Sequence, residues 1–290
     1  LLRVCLILAV AVAALPPASA GAQAPAPAPE PTTPDTVPDG EPQWLEGIGE
    51  NEMVLIHGLG ANRSIWDRVV PYLKNQFQLH VYELHGHGRT PPLENPSIAA
   101  EAAALRRWIE EQGLVYPTLV GHGLGGMIAM QYTMDHPADV NRLVVIDAGP
   151  RQIAADEHEQ DVARSLMQDY DHFVASRYVG ISPDAEVCEQ AVDWALRTDA
   201  VTFTALLLSS FDWDITDQLA NQSVPMLVVG SQSYLPEAGY EREFLQQYGY
   251  DAARVLSFKR IPGVGHYLML EKPTYLASVL TTYLRAEEFR

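Results

Sequence analysis

From residue 44 onward, short apolar runs rich in β-branched residues alternate with longer runs whose apolar positions recur at helical spacing. Six runs read as strands: MVLIH (53–57), FQLHVYEL (77–84), PTLV (117–120), RLVVID (142–147), PMLVVG (225–230) and RVLSFKRI (254–261). Helices are predicted at about 65–74, 98–112, 124–136, 240–248 and 272–286, the second carrying Ala102, Leu105, Trp108 and Ile109 on one face. Strands separated by helices cannot pair as hairpins, so the spacing predicts an α/β fold with a mostly parallel central sheet flanked by helices. Residues 151–222 break the alternation: they hold helical stretches rich in Asp, Glu and aromatics and no good strand. An insertion there, after the strand ending at Asp147, lies over the carboxyl ends of the strands, where open parallel sheets bind ligands. It reads as a helical cap on a core of residues 44–150 and 223–290.

The segments before residue 44 belong to neither part. Residues 1–22 carry Arg3, an apolar run and small residues ending in Ala18-Ser19-Ala20 or Ala20-Gly21-Ala22, the pattern of a cleaved secretory signal. Residues 23–43 are dominated by Pro, Ala and acidic residues and read as a disordered linker. The expectation is a secreted or periplasmic protein with no stable membrane association after signal cleavage. A net charge of −18 repels phosphate backbones and anionic headgroups, which argues against nucleic acid as a partner and leaves a small-molecule substrate or ligand.

The chemistry centres on GHGLGG (121–126), set between an apolar strand and a helix. Such a turn normally presents one reactive side chain, with glycines on either side to prevent clashes, yet its apex is Gly123. Three further segments accompany it: HGLGANRSIWD (57–67), ELHGHGRT (83–90) and IPGVGHYLMLEKP (261–273). With these four in order, residues 50–288 resemble the α/β-hydrolase superfamily, in its form with a helical cap. The resemblance implies a nucleophile elbow at Gly123 and an oxyanion hole formed by the backbone amides of Leu59 and Leu124. It also places the general base at His266.

The acid partner is less directly placed. The family's usual loop reads SQSYLPE here and offers no Asp at the expected position, which leaves Asp147 at the second position the superfamily uses, with Glu237 behind it. Leu124 stands where dehalogenases carry Trp, and Gly60 where epoxide hydrolases carry Pro, so the elbow resembles the serine type. Ser64, Ser209, Ser210, Ser231 and Ser233 sit on no elbow and read as capping or loop residues. His122 reads as structural, and His85 and His87 read as loop residues in a turn with Gly86 and Gly88. A metal site from His57, His85 and His87 lacks Cys or clustered carboxylates at ligand spacing, so no metal and no cofactor are expected.

Glycine has no atom that can attack a carbonyl, so covalent acyl transfer cannot start at residue 123. Three accounts stay open. One is a hydrolase of small esters, lactones or amides in which His266 and Asp147 act through water. Another is a small-molecule-binding pseudoenzyme. The third is a serine esterase or lactonase whose elbow serine has been replaced by Gly123 in this copy, acting on a neutral or cationic substrate. The cap aromatics Tyr170, Phe173, Tyr178, Trp194, Phe203, Phe211 and Trp213 read as core or as pocket lining.

Overall fold

A computed structural model of the chain describes residues 45–47, 49, 51–152, 159–232, 234, 235 and 241–285. The signal segment, the linker at 23–43, Ser233 and Glu237 lie outside the described residues.

All six sequence-read strands form, as β2 (Asn51–Ile56), β3 (Phe77–Tyr82), β4 (Thr118–His122), β5 (Arg142–Ile146), β6 (Met226–Ser231) and β7 (Leu256–Ile261). They pair in parallel in the order β3-β2-β4-β5-β6-β7. A seventh strand, β1 (Leu45–Glu46), pairs antiparallel with the outer edge of β3, so this edge is short but not bare. The central strands are apolar without alternation because both faces are covered. Met53, Leu55, Val144 and Ile146 pack on one side, and Val54, Ile56, Leu143 and Val145 on the other.

Helices α2 (Ile98–Glu111) and α3 (Leu124–Asp135) cover one face. On α2, Ser97 caps the first turn by accepting from Ala100 N, and Ala102, Leu105, Trp108 and Ile109 are buried as the spacing predicts. The helix expected at 65–74 does not form as one piece. A 3-10 turn at Arg63–Trp66, capped by Asn62, is followed by the single-turn α1 (Val70–Leu73). Pro71 explains the break: it has no N–H to donate to the carbonyl one turn back, and its ring clashes there.

Between β5 and β6 run α4 (Glu159–Gln168), α5 (Tyr170–Tyr178), α6 (Ala185–Arg197) and α7 (Ala200–Asp212). Their acidic residues have a structural use. Asp169, Asp184 and Asp199 are the N-caps of α5, α6 and α7, accepting from the amides of His172, Glu186 and Thr202. The chain closes with α8 (Glu241–Tyr248), the one-turn α9 (Leu268–Glu271) and α10 (Pro273–Arg285). No helix among the described residues is long and apolar enough to cross a membrane.

Candidate active site

Gly123 stands where β4 hands over to α3, with φ +52° and ψ −122°. An L side chain is strained there and glycine is not. The turn is held by its backbone, since Gly123 N donates to Ile146 O at 2.9 Å and Gly123 O accepts from Gly126 N at 2.9 Å. The flanking glycines are obligatory for space. A Cβ on Gly121 would lie 2.3 Å from Gly125 O, and one on Gly125 would lie 2.3 Å from His57 O. At Gly123 the nearest neighbour of the corresponding atom would be a side-chain tip, His266 Nε2, at 3.3 Å, with Gly58 Cα at an ordinary 3.8 Å. The elbow therefore aims its apex at the sequence-predicted base.

His266 and Asp147 come together across 119 residues of sequence, Nδ1 to Oδ2 at 3.1 Å. With Nδ1 facing the carboxylate, Nε2 faces the apex. Asp147 is buried, and its carboxylate also accepts from Ser231 N and Ser231 Oγ, both at 2.6 Å. Together with His266 these donors hold the carboxylate in one orientation. Asp147 also has φ +48°, a conformation rare outside glycine and costing about 1–3 kcal/mol unless its surroundings hold it. Strand β5 and Ser231 of β6 supply those surroundings.

The backbone of His266 is equally fixed. His266 N donates to Ile181 O in the α5–α6 loop at 2.9 Å, and the imidazole of His122 lies 3.0 Å from His266 O. The carboxylate of Glu271 accepts from Gly265 N at 2.8 Å and from Ser182 Oγ at 2.9 Å, tying the base's loop to the cap. His122 stacks on His266 with ring centroids 4.3 Å apart. Burial, followed by the neighbouring His266, holds the His122 pKa well below the ordinary imidazole value. His122 thus stays neutral and braces the backbone of His266.

Leu124 is the first residue of α3, so its amide faces the site from a helix N-terminus, where partial positive charge favours an oxyanion. The amide of Leu59 comes from the loop after β2. Among the described residues neither amide is committed to another acceptor. Three groups brace that loop. Gly60 N donates to His87 Nε2 at 3.1 Å, Leu84 N donates to His57 Nε2 at 3.0 Å, and Tyr178 of α5 donates its hydroxyl to Leu59 O at 2.7 Å. Burial lowers the pKa of His57 to about 4 and, with His57 beside it, that of His87 to about 3. Both rings are therefore acceptors near neutral pH.

A cavity of about 330 Å³ opens on this site, lined by Leu59, Gly123, Leu124 and His266 from the core and by Tyr178, Ile181, Leu207 and Ser210 from the cap. It sits at the small end of ligand sites, which run from about 300 to 1,000 Å³. Three of the alternative hydroxyls are engaged elsewhere. Ser209 Oγ accepts from Ile98 N, Ser210 Oγ donates to Leu207 O, and Ser231 Oγ serves Asp147. Of the cap aromatics, Tyr178 reaches the cavity, Phe203 is core, and Trp213 donates to Gln131 Oε1 at 2.8 Å. No cluster of three or more His, Cys, Asp or Glu that could hold a metal ion occurs among the described residues.

Sequence reasoning left the supports of this site unidentified: His87, Tyr178, Ser231 and Glu271. His87 had a local signal in the paired His-Gly of ELHGHGRT. Tyr178, Ser231 and Glu271 each reach a partner more than eighty residues away, contacts that carry no local signal.

Comparison with known proteins identifies the family and the fold. Residues 53–279 match the model of the alpha/beta hydrolase family. The chain is 28% identical over 217 residues to the pimeloyl-[acyl-carrier protein] methyl ester esterase of Aeromonas hydrophila, covering 67% of this chain and 82% of that one. Its likeness to the Klebsiella pneumoniae protein of the same name is 32% over 165 residues, covering 51% of this chain and 63% of the relative. Among solved structures, the enol-lactonase from Burkholderia xenovorans superposes with a TM-score of 0.73 at 16% identity, over 84% of this chain and 95% of that one. A thermophilic esterase from Thermogutta terrifontis gives a TM-score of 0.73 at 21% identity, over 83% and 92%. At these identities the structural likeness shows the fold.

Proposed function

The chain belongs to the alpha/beta hydrolase family, and we propose that it hydrolyses small carboxylic esters or lactones through a histidine-activated water instead of a covalent acyl-enzyme. The observation that carries this reading is the line from the Gly123 apex to His266 Nε2 and on to Asp147. A water in the space that a serine hydroxyl at the apex would fill lies within reach of Nε2. His266 removes a proton from it while the water oxygen bonds to the substrate carbonyl carbon. The carbonyl oxygen becomes an oxyanion held by Leu59 N and Leu124 N. Asp147 holds the imidazole tautomer and stabilises the imidazolium. Collapse of the tetrahedral adduct breaks the bond to the leaving alkoxide, which takes the proton from His266, giving an acid and an alcohol.

The names of the relatives make a methyl ester a reasonable first substrate, and the cavity volume favours a compact acyl group. The reading includes export through the segment at 1–22, checked by sequencing the N-terminus of the protein recovered from outside the cytoplasm.

The test compares hydrolysis of short-chain p-nitrophenyl esters and lactones by the natural sequence, Gly123→Ser and His266→Ala. Slow activity in the natural sequence that vanishes in His266→Ala supports the water mechanism. A silent natural sequence with activity restored by Gly123→Ser overturns it and leaves a serine esterase site lacking its nucleophile. If no ester is cleaved by any of the three, the pocket serves binding.

A further inference from the structure

Helix α6 is apolar over more of its surface than the cap buries, and we propose that the uncovered strip docks a cationic amphipathic helix of a partner protein. At about 100° per residue the apolar positions of α6 fill roughly 200° of its circumference, about twice what a core-facing stripe needs. Val187, Ala191 and Ala195 lie within that arc and are buried. Ala185, Cys188, Val192 and Leu196 form the strip beside them. There Ala185 is exposed, Cys188 and Val192 are half-buried, and Leu196 keeps 40% of its surface in contact with solvent. With Val179 and Pro183 of the preceding loop, the strip lines a groove of about 660 Å³. Val179 is 73% exposed. Apolar side chains gathered in one exposed patch mark an interaction surface.

The two walls of the groove are bonded to each other. Cys188 Sγ donates to Ser182 O at 3.3 Å and Asp184 N to Ser182 Oγ at 3.0 Å, which fixes the loop against α6. From Ala185 to Leu196 the strip is about 16 Å long, the length of about three helical turns. Its far edge carries carboxylates: Glu186, Glu189 and Asp193 follow at spacings that set them in one row, and all three are exposed. Asp193 pairs with Arg197 at 2.9 Å, and no Lys or Arg lines the groove among the described residues. An apolar strip beside an acidic row is complementary to a helix with aliphatic residues on one face and Lys or Arg along its flank. The same charges disfavour other occupants. A second copy brings identical carboxylates and its own net charge of −18, and an anionic bilayer is repelled.

This groove and the active-site cavity share no lining residue, so its test is independent of the esterase reading. A fluorescein-labelled leucine/lysine amphipathic helix of about 14 residues is titrated with the unaltered protein and read by anisotropy at low and high salt. Saturable binding that weakens as salt rises is expected. Val179→Ser and Leu196→Ser together keep every charge, lie at exposed positions, and should weaken binding at least about tenfold. Glu189→Gln should weaken it about two- to fourfold at low salt. Equal binding by the Val179→Ser, Leu196→Ser protein reduces the effect to attraction between a cation and an acidic chain and overturns the docking site. Equally tight binding of a leucine/glutamate helix with the same apolar face, or no binding of either helix, overturns it too. Sedimentation of the free protein as a dimer that the double substitution dissociates would put a second copy in the groove, which also overturns the proposal.

Discussion

The turn at Gly123 and the pair behind it are built on opposite principles. The apex is reduced to backbone: three glycines, no side chain, and a conformation that glycine holds without strain. Its neighbours are the reverse, with His266 fixed at Nδ1, N and O, and Asp147 accepting three hydrogen bonds while held at φ +48°. A strained, buried carboxylate with a full set of donors is expensive to keep, and a fold without use for a base has nothing to gain from it. The contrast teaches that the bare apex is a local feature, since the two side chains facing it, His266 and Asp147, are fully supported.

The largest expected effect would break the contrast. Gly123→Ser makes its tightest contact with the tip of His266 and should raise kcat/KM for a short-chain p-nitrophenyl ester by at least about a thousandfold, since a triad nucleophile is worth about a millionfold elsewhere. The same variant should be slightly less stable, by about 1–2 kcal/mol, because serine is strained at φ +52°. Thermal melts and rates on one preparation would show both changes. Next, Asp147→Asn placed in the Gly123→Ser background should lower kcat by about 10³–10⁴, as the wrong imidazole tautomer is then favoured. A drop below tenfold would mean that Asp147 is kept for structure alone.

The third prediction concerns pH. His57, His87 and His122 are buried and neutral, with folded pKa values below the unfolded value near 6.5. Unfolding at pH 5 therefore takes up protons, so stability is fully present above about pH 6.5 and is lost as pH falls toward 4. Denaturant titrations between pH 7 and 5 should show an uptake of about one proton per histidine, and a flat profile would contradict the burial of these rings. The smallest effect tests the brace on the oxyanion loop. Tyr178→Phe removes the hydrogen bond to Leu59 O and should cost about 1 kcal/mol of stability. In the Gly123→Ser background it should reduce kcat several-fold with little change in KM, because the Leu59 amide matters most once the oxyanion forms.

The sheet was legible from sequence because its signal is local: six apolar runs of strand length, spaced by helices, admit few arrangements. The elbow was legible because its glycines mark a turn that no other residue fits. His266 and Asp147 were reached through the family resemblance, which puts a base and an acid at those two positions. The supporting residues were not legible, since Tyr178 meets Leu59 and Ser182 meets Glu271 across 119 and 89 positions of chain. Nor was the helix at 65–74 interrupted by anything in its hydrophobic periodicity, which is blind to the missing amide of Pro71. The two-residue β1 is shorter than any pattern of alternation can register.

The bond from His266 N to Ile181 O ties the position of the imidazole to the cap. A Cβ on Gly265 would lie 2.4 Å from that same Ile181 oxygen, so loop and cap meet there with no slack. Any guest bulky enough to lift the 181–182 segment on its way in would pull the base out of register with the apex. Such a guest could lodge and still go unreacted until the segment reseats. Discrimination by size would then be kinetic, enforced at arrival, in addition to whatever the walls of the cavity impose by shape.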